Sequence, residues 1–284
     1  MRVFGTSTGI QRCCWYRALI MSLVLIPVTT FSAESTFPLE QMTPDLHNKE
    51  SLQRGAKIYM NYCLSCHSLQ YQRYQRTADD LGIPHELMLE HMIFDPETRI
   101  GDLIENSASE DSTKVWFGAA PPDLTLYISL KGGPDYLYTY LKSFYRDDDR
   151  PLGVNNLVFE NVAMPHVLLE LQGLQQEACR QLPQLTEDGS EIQDPLTGEP
   201  VLAEICGGDL VARGYSPLEL VAGSGSLTPE EYDQVSYDLT NFLYYVAEPT
   251  RLERERLGVY VLIFLAFFFV FAYLLGREYT REFH

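Results

Sequence analysis

Basic residues are scarce in this chain, with 21 lysines and arginines against 39 aspartates and glutamates, a formal charge of −18 over 284 residues. That balance argues against nucleic acid as a partner, because a phosphate backbone is bound by a basic face. There is no internal repeat, no Gly-rich phosphate loop and no Ser/His/Asp grouping, which leaves solenoid folds, nucleotide cradles and triad hydrolysis without the residues they need. Cysteine is sparse too. Cys13 and Cys14 precede an apolar stretch and have no assigned role, while Cys179 and Cys206, 27 positions apart, do not form the second close pair that a zinc site at Cys63 and Cys66 would need. No βαβ pattern surrounds residue 63, which excludes a thioredoxin-like redox site.

What is there is Cys63-Leu64-Ser65-Cys66-His67. CxxCH is a c-type haem attachment motif: two thiols add to the two vinyl groups of one porphyrin, and the adjacent histidine reaches the iron. Export fits that chemistry. Arg2, Arg12 and Arg17 precede the apolar residues 18–28, and Thr30, Ser32 and Ala33 follow, the pattern of a signal peptide over residues 1–33. Its removal takes three basic residues and no acidic one, so 18 basic residues face 39 acidic ones and the charge becomes −21. Such a surface suits a positively charged partner.

A single run of 19 uncharged, apolar residues, 258–276, lies near the C-terminus. At 1.5 Å per residue it extends roughly 28 Å, close to the hydrocarbon thickness of a bilayer. The expected organisation is a periplasmic haem domain over 34–256, a transmembrane anchor helix over 257–276 and a cytoplasmic tail over 277–284, in a bacterial inner membrane. Arginines flank both ends of the span, so the orientation rests on the signal and not on the positive charges.

The periodic segments of the exported part read as helices, and the expected fold class is all-α. Ser51 is expected to cap a helix that runs into the haem motif. Residues 134–145 read as an aromatic-rich helix behind the break at Gly132-Gly133. Thr228-Pro229-Glu230-Glu231 opens a third helix with a capping box, and Pro249 ends it. Residues 96–125 and 173–226 show no regular period and are long for bare loops; a bound haem supplies core that side chains would otherwise provide.

If His67 takes one side of the iron, the other is open to Met42, Met60, Met88, Met92, Met164, His47, His85, His91 and His166, while His284 lies in the expected cytoplasmic tail, on the wrong side of the membrane. Met60 is too near the first thiol to reach the far face, and Met88 and Met92 sit at helical spacing that suits core packing. Met164 stands in Asn161-Val162-Ala163-Met164-Pro165, where the proline favours extended backbone. His166, two residues on, keeps a bis-histidine alternative open. Cys179 and Cys206 close a loop in an oxidising compartment and are expected to form a disulfide.

These motifs occur in an order that resembles the cytochrome c1 family, the haem subunits of ubiquinol:cytochrome c reductase. The features are CLSCHS at 63–68, Pro121-Pro122-Asp123-Leu124, Gly132-Gly133 with Asp135-Tyr136, AMP at 163–165, and AEP before the terminal span, covering residues 50 to 280. The resemblance implies a class I-like cytochrome c domain with long loops, one haem c on Cys63 and Cys66, and His67 and Met164 as axial ligands. A His/Met pair raises the potential relative to bis-His.

His67 also needs an acceptor for its other ring nitrogen, expected from a carbonyl near Pro121 and Pro122, and Trp116, Phe117 and Tyr127 are expected at the haem edge. Where the family usually carries Arg-x-Arg near a haem propionate, this chain has Ser129-Leu130-Lys131, so Lys131 is the expected partial substitute.

The implied work is electron transfer and not bond chemistry. The chain would take electrons from a Rieske iron-sulfur protein and pass them to cytochrome c, within a dimeric complex that also contains cytochrome b and holds the quinol site elsewhere. Two alternatives differ in class: a freestanding membrane-anchored cytochrome feeding a terminal oxidase or reductase, and a haem-based sensor with an open sixth position.

Overall fold

The computed structural model describes residues 37–186 and 188–282. The expected signal peptide therefore lies outside the described residues. Two helices form the frame. α1 (Lys49–Ile58) continues directly into a π-helical turn, Tyr59–Cys63, that delivers the haem motif. The N-cap of α1 is Asn48, whose side chain accepts the Ser51 N–H at 3.0 Å; Ser51 is not the cap but a buried residue of the first turn. Its hydroxyl accepts from Asn241 Nδ2 at 3.1 Å, so this serine serves packing between helices.

The chain then forms β1 (Leu69–Arg73), α2 (Tyr74–Leu81), α3 (His85–His91), β2 (Leu103–Ile104), α4 (Glu110–Phe117), α5 (Tyr127–Leu130) and α6 (Gly133–Lys142). It continues through β3 (Phe144–Arg146), β4 (Val154–Asn156), α7 (Leu169–Gln172), β5 (Gln175–Glu177), β6 (Cys179–Pro183), β7 (Leu202–Cys206), a 3-10 turn at Gly207–Arg213, and β8 (Leu218–Leu220). The long α8 (Pro229–Ala247) and α9 (Arg251–Glu282) close the fold. The strands pair antiparallel as β1 with β2, β3 with β4, β5 with β8 and β6 with β7, each a two-stranded sheet. The domain is not all-α, since its helices are interspersed with four two-stranded sheets.

Most of those strands lie where no period is legible. In β6 and β7 both faces stay largely exposed, so the chain there has no reason to alternate apolar and polar residues. Residues 173–226 form a lobe whose two ends run side by side: Leu174 N–H donates to Ser224 Oγ at 2.8 Å, Val221 N–H to Leu174 O at 2.9 Å, and Ser226 N–H to Glu170 O at 2.9 Å. Cys179 and Cys206 face each other across β6 and β7 and are joined by a disulfide, with Cα atoms 4.1 Å apart.

α8 starts with the expected capping box, Thr228 and Glu231 each bonding the other's backbone N–H. It packs against α1 through Leu239, Phe242, Leu243 and Val246, which meet Leu52, Ala56 and Tyr59 in one buried cluster. Gly55 makes this crossing close, because a Cβ there would meet the Asp238 carbonyl oxygen and lie 2.6 Å from Phe242 Cβ. Arg54 completes the contact with Nε 2.6 Å from the buried Asp238 carboxylate. Burying side chains of this size contributes about 1.5–3 kcal/mol each, so the α1–α8 seam is a principal source of order around the haem motif.

α6 spans Gly133–Lys142 and gives way to β3 at Phe144, so the expected helix ends three residues early; Gly132 and Gly133, at φ of 84° and 82°, mark its start. At the other end of the frame, α8 and α9 are joined by a short break in which Glu248 accepts from Arg251 Nη2 at 3.0 Å and Arg254 Nε at 2.6 Å. Arg251 also lies 4.3 Å over the Tyr244 ring. α9 is apolar enough to cross a membrane, with a mean hydropathy of 2.6 over its best window and nothing of the domain packed on that window.

Candidate haem site

The haem motif begins inside the π turn, where Leu64 N–H donates to Tyr59 O at 3.0 Å, and then tightens as Cys66 and His67 N–H groups both donate to Cys63 O. Such turns recur at functional sites because they re-aim side chains without ending a helix. Tyr59, buried against Phe242 at 5.8 Å between ring centroids, donates its hydroxyl to His67 O. The histidine is thereby fixed at both ends: its carbonyl by Tyr59, and its ring by Nδ1, which donates to Pro122 O at 2.7 Å. Pro122 is the kind of carbonyl partner expected from the sequence. With Nδ1 engaged, Nε2 is the nitrogen left to bind a metal.

Cys63 is buried, Cys66 is half-buried, and neither is in a disulfide. Burial, assisted by Cys66, pushes the Cys63 thiol up to about 12, the opposite of what a redox-active thiol needs. Among the described residues the one grouping of three metal-ligand types is Cys179, Glu204 and Cys206, and those two sulfurs are joined to each other. Nothing of that kind forms around Cys63 and Cys66, so zinc lacks a ligand set there. A haem, which needs two free thiols and one braced histidine from this stretch, fits the residues present. A cavity of about 520 Å³ opens beside Cys66, walled by Pro121, Pro122 and Thr113 and edged by Glu105, Glu110 and Asp123.

Met164 is half-buried on the loop after β4, packed with Phe144, Val154 and Val162 in a second small cluster. Tyr140 of α6 belongs to both clusters, packing against the one that holds Cys63 and against the one that holds Met164. Its hydroxyl donates to Met164 Sδ at 3.3 Å. Burial pushes that phenol above its ordinary value, so it stays a donor. Tyr136 stacks on Tyr140 with ring centroids 6.2 Å apart. In the sequence these tyrosines read only as part of an aromatic-rich helix, and the i,i+4 spacing of Tyr136 and Tyr140 is the signal for their stacking.

The remaining expected site residues scatter. Met88 and Met92 are in the core. Pro121 is half-buried in the cavity wall. Trp116 is 63% exposed on α4, edge-on to Phe117 at 6.3 Å, and Lys131 is exposed just past the end of α5. His166 is buried, its ring parallel to Phe144 at 4.8 Å, and burial pushes its imidazole down to about 4.

With zinc left without a ligand set, the arrangement suits one haem on a chain whose described residues include one C-terminal helix apolar enough to cross a membrane, which defines a membrane-anchored c-type cytochrome. Known sequences narrow the class. The Cytochrome C1 family model matches residues 39–189 and 225–283. Cytochrome c1 of Allochromatium vinosum is 45% identical over 94% of this chain and 100% of its own length. The ammonia monooxygenase gamma subunit of Nitrosomonas europaea is 35% identical over 94% of this chain and 97% of its own. The mitochondrial cytochrome c1 of Saccharomyces cerevisiae is 26% identical over 76% and 62%. The chain belongs to the cytochrome c1 family, whose proteins carry one covalently bound haem c. Residues 190–224, most of the lobe, fall outside the family match.

Proposed function

We propose that Cys63 and Cys66 attach the haem, that His67 Nε2 and Met164 Sδ are its axial ligands, and that the domain is a class I-like cytochrome c fold. The chain is the electron-transfer haem subunit of ubiquinol:cytochrome c reductase, working with cytochrome b and the Rieske protein and delivering electrons to cytochrome c. The bound group supplies a one-electron carrier. What the protein supplies is orientation: the observation that carries the assignment is His67 Nδ1 on the Pro122 carbonyl, which holds the tautomer and ring plane a ligand needs.

Tyr140 supports Met164 as the second ligand, since one side chain reaches from the Cys63 cluster to the thioether. Pro121 and Pro122 wall the haem pocket, Tyr127 lines it, Trp116 covers the haem edge, and Lys131 pairs with a propionate. The signal at 1–33 places residues 34–256 in the periplasm, with 257–276 crossing a bacterial inner membrane, 277–284 in the cytoplasm, and the complex dimeric. A bis-histidine rival retains one observation in its favour, the buried and unpartnered Nε2 of His166. A spectrum-monitored redox titration separates them. Wild type should show a sulfur-to-iron charge-transfer band, and Met164→His should lower the midpoint potential sharply. An unchanged potential in that variant rejects Met164.

A further inference from the structure

The lobe at residues 173–226 enters the domain at a corner that also carries Met164's supports. Lys142 O, the last carbonyl of α6, accepts from Gln172 Nε2 at 3.1 Å and from Gln175 Nε2 at 2.8 Å. The same Gln175 nitrogen donates to Phe144 O at 2.8 Å, so its two hydrogens bridge the turn from α6 to β3. Two residues before the turn is Tyr140, which donates to Met164 Sδ. Two residues after Lys142 is Phe144, 1% exposed, edge-on to Tyr140 at 5.1 Å, packed on Met164 and parallel to His166. Tyr140 and Phe144, two of the side chains that contact the loop 164–166, therefore hang from a corner that both glutamines bond.

Gln172 reaches this loop from its other end as well. Its Oε1 and His166 Nε2 are both buried with no partner in hydrogen-bonding geometry. Glutamine suits the bridging task where its neighbours in size do not: glutamate has no donor at neutral pH and would set a charge against two carbonyls, and methionine fills the volume without donating. The neck hydrogen bonds at Leu174, Val221 and Ser226 keep both glutamines in place.

Resting on the assignment of Met164 as an axial ligand, we infer that Gln172 and Gln175 are positioning residues. They lock the α6–β3 corner so that Tyr140 and Phe144 hold the thioether sulfur on the iron.

The test uses the assembled, haem-loaded complex with Gln172→Met, Gln175→Met and the double variant. Gln53→Met serves as a matched control, since Gln53 Nε2 makes a similar bond to Leu81 O at 2.9 Å away from this corner. Covalent haem content, the sulfur-to-iron charge-transfer band, the midpoint potential and carbon monoxide binding to the ferrous form are read for each. The ratio of ligated to unligated sulfur should fall roughly five-fold for each hydrogen bond removed. The band should thus weaken in the single variants and more in the double, with a lower potential and new carbon monoxide binding, while haem content and the Gln53 control stay as wild type. If the double variant fails to load haem, the single variants decide. A band and potential unchanged in haem-loaded variants, or changed equally in the Gln53 control, overturns the inference. A wild-type protein without the band instead overturns the Met164 assignment on which it rests.

Discussion

Gly55→Ala offers a test in which two effects have opposite signs. In an isolated helix the change should help, because alanine favours helix over glycine by about 1 kcal/mol. In this protein the new methyl would lie 2.6 Å from Phe242 Cβ and 2.7 Å from the Asp238 carbonyl carbon. Ordinary carbon contacts begin at about 3.5 Å, so these two contacts alone require α8 to retreat by roughly 0.8–0.9 Å along a seam of buried Leu, Phe and Tyr side chains, and the Asp238 carbonyl oxygen, which the methyl would meet more closely still, requires more. Overpacking of this kind costs about 1–3 kcal/mol. Because the obstruction is backbone, and Arg54 is held to Asp238 in the same turn, the upper end applies. After the propensity gain the net loss is about 2 kcal/mol, or about 4–8 °C in Tm for a domain of this size.

Thermal melts of the detergent-solubilised, haem-loaded protein should show that decrease, with Lys57→Ala, on the exposed side of α1, as the control for helix propensity. Since α1 runs straight into the turn bearing Cys63, the haem absorbance of Gly55→Ala should unfold with the helices and not after them. A variant as stable as wild type, or more so, would refute the close-approach reasoning.

Three further outcomes are expected. Reduction of cytochrome c should slow as ionic strength rises, given the acidic excess of this chain; a flat response rejects docking on an acidic face. Replacing Cys179 and Cys206 by serine opens a crosslink spanning 27 positions, removing about 3–4 kcal/mol of unfolded-state constraint; the lobe should become protease-sensitive, and two reactive thiols in the untreated wild-type holoprotein would show that no bond was there. His166 binds a proton near 6.5 when unfolded and only near 4 when folded. The folded state therefore loses up to about 3 kcal/mol as pH falls through that window, and nothing above it. The urea midpoint of wild type should fall more steeply from pH 7 to pH 4.5 than that of His166→Phe, and parallel acid limbs would exclude the burial argument.

Much of this was legible where chemistry is local in sequence. CxxCH, the capping box at Thr228 and Glu231, and the span at 258–276 each declare themselves within a few residues or by length. The helix start at Asn48 was missed because Ser51 also carries a capping side chain, and only tertiary burial shows which residue is spent on packing. Gly55 looks like a weak point in a helix until the partner helix is known. Tyr140 and Met164 lie 24 positions apart, and no periodicity links a helix to a loop at that distance. The strands of the lobe were hidden because a sheet with two wet faces leaves no alternating pattern.

The ion cage at Glu248 has a consequence for how the haem subunit meets its partners. A domain on a slack tether would sweep a hemisphere above the bilayer and present every face in turn. Here the anchor, the break and α8 are braced by Arg251, Arg254 and Tyr244, and α8 is seamed to the helix that bears the haem motif. The direction of the apolar helix is thereby coupled to that of the helix leading into Cys63, so the two turn together and not as beads on a loose string.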